Sequence, residues 1–155
     1  MTTGFDRRND AGNDDPTTVR TLAITVDDVV TALEARQRAD RPAVLRVTPP
    51  FAGRMRARLH VVGGEGAYDE DTEPIHVPPE RFVDEGVPTV PLVDETEDEL
   101  RERDDYSVER HREFHERAVA SWREAVVEGL VEQTTIDVGD GGHRVEVRYL
   151  GRGSE

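Results

Sequence analysis

The chain has 155 residues, a net charge of −14 and no cysteine, and all 20 of its basic residues are arginine. That length supports one domain with a modest core. The missing Cys and Lys exclude disulfides, thiolate nucleophiles, Cys-held zinc or iron–sulfur centres, Schiff-base chemistry and a P-loop lysine.

In chain order, residues 1–18 are polar, Asp- and Gly-rich and aperiodic, and read as a disordered acidic N-terminal tail before a single α+β domain over 19–150. The tail has no apolar signal segment, and no apolar run reaches the roughly 18 residues of a membrane span, so a cytoplasmic protein without membrane contact is expected. "VRTLAI" (19–24) reads as a first strand. Thr25 then caps a helix in which Val26, Val29, Val30 and Leu33 share one face through about Arg38. Pro42 bars its continuation. "AVLRVT" (43–48) predicts a second strand, Pro49–Gly53 a turn, and "RMRARLHVV" (54–62) a third strand. Residues 63–105 read as an acidic, partly irregular insertion: a loop, a short extended "IHVPP", one helical turn in "ERFVDEG", a Pro-rich stretch and a helix start in "DETEDELRERDD". Ser107 to Val131 is helical, with Val108, His111, His115, Ala118, Val119, Trp122, Val126 and Leu130 on one face. "TTIDV" (134–138), a Gly turn and "RVEVRYL" (144–150) read as a closing hairpin. The order β-α-β-β-irregular-α-β-β predicts a single mostly antiparallel sheet with two amphipathic helices on one face.

Charge is segregated along the chain. Residues 41–64 carry 5 Arg and no acid, whereas 65–105 carry 3 Arg against 16 acids. Within the basic block Met55, Ala57, Leu59 and Val61 alternate with Arg54, Arg56, Arg58 and His60, so the second set lines one sheet face, with Arg46 beside it. Guanidinium forks match carboxylates and phosphates. The stripe can therefore pair with the chain's own 65–105 carboxylates, meet an acidic protein partner or another subunit of a homo-oligomer, or bind nucleic acid or a nucleotide. The last lacks the interleaved aromatics that stack bases.

An acidic, Lys-free, Arg-only chain resembles the cytoplasmic proteins of haloarchaea, and the composition and layout are similar to those of a small uncharacterised haloarchaeal family. The resemblance implies a carboxylate surface kept hydrated in concentrated KCl, and no activity.

Catalytic motifs are absent: no serine lies in G-x-S-x-G, and no glycine run forms a nucleotide loop. His111 and His115 lie four apart on a helix and could offer imidazoles to one divalent metal. The H-E-x-x-H pattern is not met, because position 112 is Arg, and no spacing designates a third ligand among His60, His76 and His143. "GGEGAYDEDTE" (63–73) lacks calcium-loop spacing. The sequence therefore predicts a non-catalytic binding protein that uses Arg46, Arg54, Arg56, Arg58 and His60 towards a partner. The alternative is metal binding, or a metal-dependent enzyme, at His111 and His115.

Overall fold

A computed structural model describes residues 14–38, 42–61, 74–139 and 141–151. Among them are seven strands and three α-helices, an α+β fold arranged as two sheets rather than one. Strands β1 (Thr21–Thr25), β3 (Arg54–Arg56), β6 (Gln133–Asp137) and β7 (Gly142–Leu150) form a four-stranded sheet in the order β3-β1-β7-β6. Strands β2 (Ala43–Val47), β4 (Arg58–Val61) and β5 (Ile75–Val77) form a second sheet in the order β4-β2-β5. β1 runs parallel to both β3 and β7, and the other three ladders are antiparallel.

The expected third strand is the joint between the sheets. Its residues 54–56 pair with β1 and its residues 58–61 pair with β2. Ala57, fully buried, lies at the crossing and donates its N–H to the Ala23 carbonyl at 2.9 Å. A small side chain there lets one strand leave a sheet and enter the next without opening a gap.

Local chemistry sets the helix ends. Helix α1 (Val26–Arg38) starts where Thr25 Oγ1 accepts from the Asp28 N–H at 3.0 Å, with Asp27 and Asp28 in the first turn and Arg36 and Arg38 in the last. Those charges complement the helix dipole. A 3-10 turn at Pro79–Phe82 precedes α2 (Val93–Glu102), so the acidic stretch contains a strand, a turn and a helix of its own. Residues 1–13 of the expected tail and 62–73 of the expected insertion lie outside the described residues. Helix α3 (Val108–Glu128) is capped by Ser107 Oγ, which accepts from the Arg110 N–H at 3.1 Å.

The core joins both sheets to α1 and to the C-terminal half of α3: Leu22, Ile24, Leu45, Val47, Phe51, Phe82, Trp122 and Val126 are all buried. Fully burying a side chain of the Leu or Phe class stabilises a fold by about 1.5–3 kcal/mol, so these positions dominate folding. Trp122 is core, as its place on the helical stripe predicts, and its indole N–H reaches the Pro88 carbonyl at 2.8 Å. The end of α3 sits hard against the preceding loop. A Cβ on Gly129 would lie 2.3 Å from Val87 Cγ2, and Asp84 N donates to the Gly129 carbonyl at 2.7 Å. The N-terminal half of α3 behaves differently: Val108 is 72% exposed, and that half packs on α2 as a helical hairpin.

Candidate functional site

The arginines of the stripe remain on the outer side of their strand, but the change of sheet at Ala57 divides them. Arg54 and Arg56 belong to the four-stranded sheet, where they stand in register with Thr21 and Ala23 of β1. Thr21 and Ala23 are in turn in register with Glu146 and Arg148 of β7. Residues in register share a face, so the outer surface carries one row of Gln133, Glu146, Thr21 and Arg54, and beside it a row of Arg148, Ala23 and Arg56. A groove of ≈ 390 Å³ between the rows is lined by Thr21, Ala23, Arg54, Met55, Arg148 and Leu150. Arg148 was within reach of sequence reasoning, because "RVEVRYL" alternates as regularly as the stripe does. What sequence could not supply was that β7 lies beside β1 and brings Arg148 to within one strand of Arg56.

Arg58, His60 and Arg46 lie round the corner on the three-stranded sheet. Arg46 stands directly opposite Arg58 on one side and His76 on the other, and His60 stands opposite Val44. The His60 and His76 rings stack with centroids 5.6 Å apart and an interplanar angle of 21°. Burial, together with His60 and Arg46 nearby, holds the His76 imidazole below its ordinary pKa. Its Nε2 is buried without a hydrogen-bond partner among the described residues.

Among the described residues, Arg54, Arg56 and Arg58 form no side-chain ion pair or hydrogen bond. Arg56 Nε is buried with no partner. The carboxylates of the acidic stretch that do pair choose other arginines: Glu80 binds Arg36 at 3.1 Å, Glu97 binds Arg101 at 2.8 Å, Glu99 binds Arg103 at 2.8 Å and Asp105 binds Arg110 at 3.3 Å. The one carboxylate within the outer rows, Glu146, lies 3.9 Å from Arg148.

The second sequence-marked pair, His111 and His115, converges on a hydroxyl. Thr96 of α2, 4% exposed, places Oγ1 2.7 Å from His111 Nε2 and 3.0 Å from His115 Nδ1. On its far side His115 Nε2 lies 3.4 Å from Arg38 Nη2. A guanidinium only donates, so His115 Nε2 must accept, and the proton of the neutral ring sits on Nδ1, donating to Thr96. Burial, the Arg38 charge and His111 hold the His115 imidazole below its ordinary pKa, against a smaller opposing pull from Glu116. The remaining histidines are elsewhere: His60 and His76 stack on each other, and His143 Nε2 donates to the Val19 carbonyl at 2.7 Å. Among the described residues no three His, Asp or Glu side chains gather as a metal-holding group.

Fold and surface together define a small α+β protein with a basic, outward-facing sheet surface wrapped around a strand shared by two sheets. The chain belongs to the family described as "Domain of unknown function (DUF8009)", whose model matches residues 8–151. No curated protein and no solved structure matches it. Among the described residues, no helix is long and apolar enough to cross a membrane.

Proposed function

We propose that this is a non-catalytic binding protein whose arginine-bearing sheet surface engages the carboxylates of an acidic protein surface. One observation carries the reading: in a chain of net charge −14, Arg54, Arg56 and Arg58 follow one another at every second position, across the change of sheet, with no carboxylate partner among the described residues. Arginine forks with no partner among the described residues are suited to partners outside the molecule. The outer rows of the four-stranded sheet hold Thr, Ala, Gln, Leu, Arg and Glu but no aromatic ring, so they lack the stacking platform of a single-strand nucleic-acid binder. The acidic, Lys-free composition fits a haloarchaeal cytoplasm. Diffuse charge attraction is screened within about 3 Å at 1 M salt, so contact there must come from short, directed hydrogen bonds. Fixed arginines on a strand supply these.

The test is retention of the native chain and of Arg54→Gln/Arg56→Gln/Arg58→Gln on immobilised poly-L-glutamate in molar KCl, with a single-stranded oligonucleotide as competitor. The reading predicts that the native chain is retained, the variant is not, and the oligonucleotide fails to elute it. Equal elution of the two proteins would end it.

A further inference from the structure

The same chain carries a second row of unpaired charge, of opposite sign. On α2, Thr96 and Leu100 are buried towards α3, while Asp94, Asp98 and Glu102 are exposed. Four-residue steps stack those three carboxylates into one ridge, on the side of the helix opposite the buried pair. The intervening acids are engaged: Glu97 with Arg101, Glu99 with Arg103, and Glu95 Oε1 with the Leu92 N–H at 3.1 Å. Asp94, Asp98 and Glu102 have no ion pair or hydrogen bond among the described residues.

The two rows match in spacing. Carboxylates four residues apart on a helix rise by about 6 Å per step. Arginines two apart on a strand rise by about 6.6 Å. Two successive carboxylates of the ridge can therefore lie against Arg54 and Arg56 with little drift, while Arg58 follows beyond the change of sheet at Ala57. Apolar contact is available beside the arginines: Leu150, 41% exposed, lines the groove next to Arg54.

We infer that the acidic partner of the arginine row is a second copy of this chain, which docks the Asp94, Asp98 and Glu102 ridge of its α2 against Arg54, Arg56 and Arg58. This rests on the reading above that the row binds carboxylates outside the molecule. The contact is heterologous, because each copy offers a row at one place and a ridge at another. Each charge pair is exposed at its rim and individually weak, so the association is concentration-dependent and reversible.

Sedimentation velocity in molar KCl, from micromolar to millimolar protein, tests this with two full-length variants whose folding is checked by thermal unfolding. One is Arg54→Gln/Arg56→Gln/Arg58→Gln, without the row. The other is Asp94→Asn/Asp98→Asn/Glu102→Gln, without the ridge. The native chain should self-associate, and each variant alone should lose about tenfold or more in association constant as its charge pairs vanish together. An equal mixture should recover association and stop at a one-to-one dimer, because one protein keeps only the ridge and the other only the row. A native chain that stays monomeric, a variant that associates like the native chain, or a mixture that stays monomeric would each overturn the inference. Retention on poly-L-glutamate separates the two claims: a monomeric chain still retained through its row meets some other acidic protein, and one not retained loses both.

Discussion

Two arginine-rich regions of this molecule solve the same electrostatic problem in opposite ways. On the α2–α3 hairpin, Arg101, Arg103 and Arg110 each hold a carboxylate four or five residues away, and Arg101 also lies 3.9 Å over the Tyr106 ring. On β3 and β4, the residues two positions from each arginine are further arginines or His60, and the registered neighbours are Thr21, Ala23 and Arg46. A helix brings i and i+4 together, so a sequence mixing Glu and Arg at that spacing neutralises itself. A strand brings i and i+2 together, so a sequence repeating Arg at that spacing accumulates charge. Local periodicity decides whether an arginine meets a carboxylate of its own element or another cation.

The comparison predicts that disturbing the hairpin costs stability, whereas disturbing the strand row costs binding. The largest effect is expected at Thr96. Thr96→Val removes the one hydroxyl shared by His111 and His115 and leaves both ring nitrogens without it, at a cost of about 1–3 kcal/mol in urea denaturation. Thr96→Ser, which keeps the hydroxyl, should recover most of that loss. Equal stability of Thr96→Val and the native chain would show that the hydroxyl does not hold the hairpin.

Next comes pH. His115 and His76 have folded pKa values below their ordinary value, so the unfolded chain takes up protons first as pH falls. Their contribution is complete above the unfolded imidazole value of about 6.5 and declines as pH drops from there towards the folded values. Unfolding free energies measured between about pH 8 and pH 5 should therefore hold steady and then fall below about 6.5. A rise over that window would reverse the assigned causes.

A smaller and sharper change is Ala23→Glu. Ala23 is in register with both Arg56 and Arg148, so a carboxylate there gives the row an internal partner. A gain of about 0.2–1 kcal/mol is expected, as for a cross-strand opposite-charge pair, together with loss of retention on poly-L-glutamate. Retention as strong as that of the native chain would break the link between free arginines and binding. On the hairpin, Glu99→Gln should cost only about 0.3–0.5 kcal/mol, shrinking further as salt is added.

Much of this fold was legible because its elements follow simple periods. The Val26, Val29, Val30 and Leu33 face, the Thr25 cap, the α3 stripe from His111 onward and the glycine turn with positive φ at Gly139 and Gly141 stand where residue chemistry placed them, whereas Val108 at the head of the stripe is exposed. The acidic stretch supplied more structure than its composition suggested, since Ile75 and Val77 are buried in β5, and α2 makes a third helix. The two-sheet division was not legible. Alternation runs unbroken from Arg54 to Val61 and says which side each residue faces, but nothing about which strand lies alongside. The parallel pairing of β1 with β7 joins residues more than a hundred positions apart, and no local pattern encodes it. For the same reason the convergence of His111 and His115 on Thr96 was hidden: helical spacing put the imidazoles together, while their partner came from another helix.

The central claim is that the arginine row is not part of what holds this fold together. The most direct test is thermal unfolding of the native chain beside Arg54→Gln/Arg56→Gln/Arg58→Gln in about 3 M KCl, where screening reaches only a few ångströms, at protein concentrations too low for association. The account predicts coincident melts. A melt of the variant lowered by many degrees would contradict it, placing the three guanidinium groups in bonds to the protein's own carboxylates.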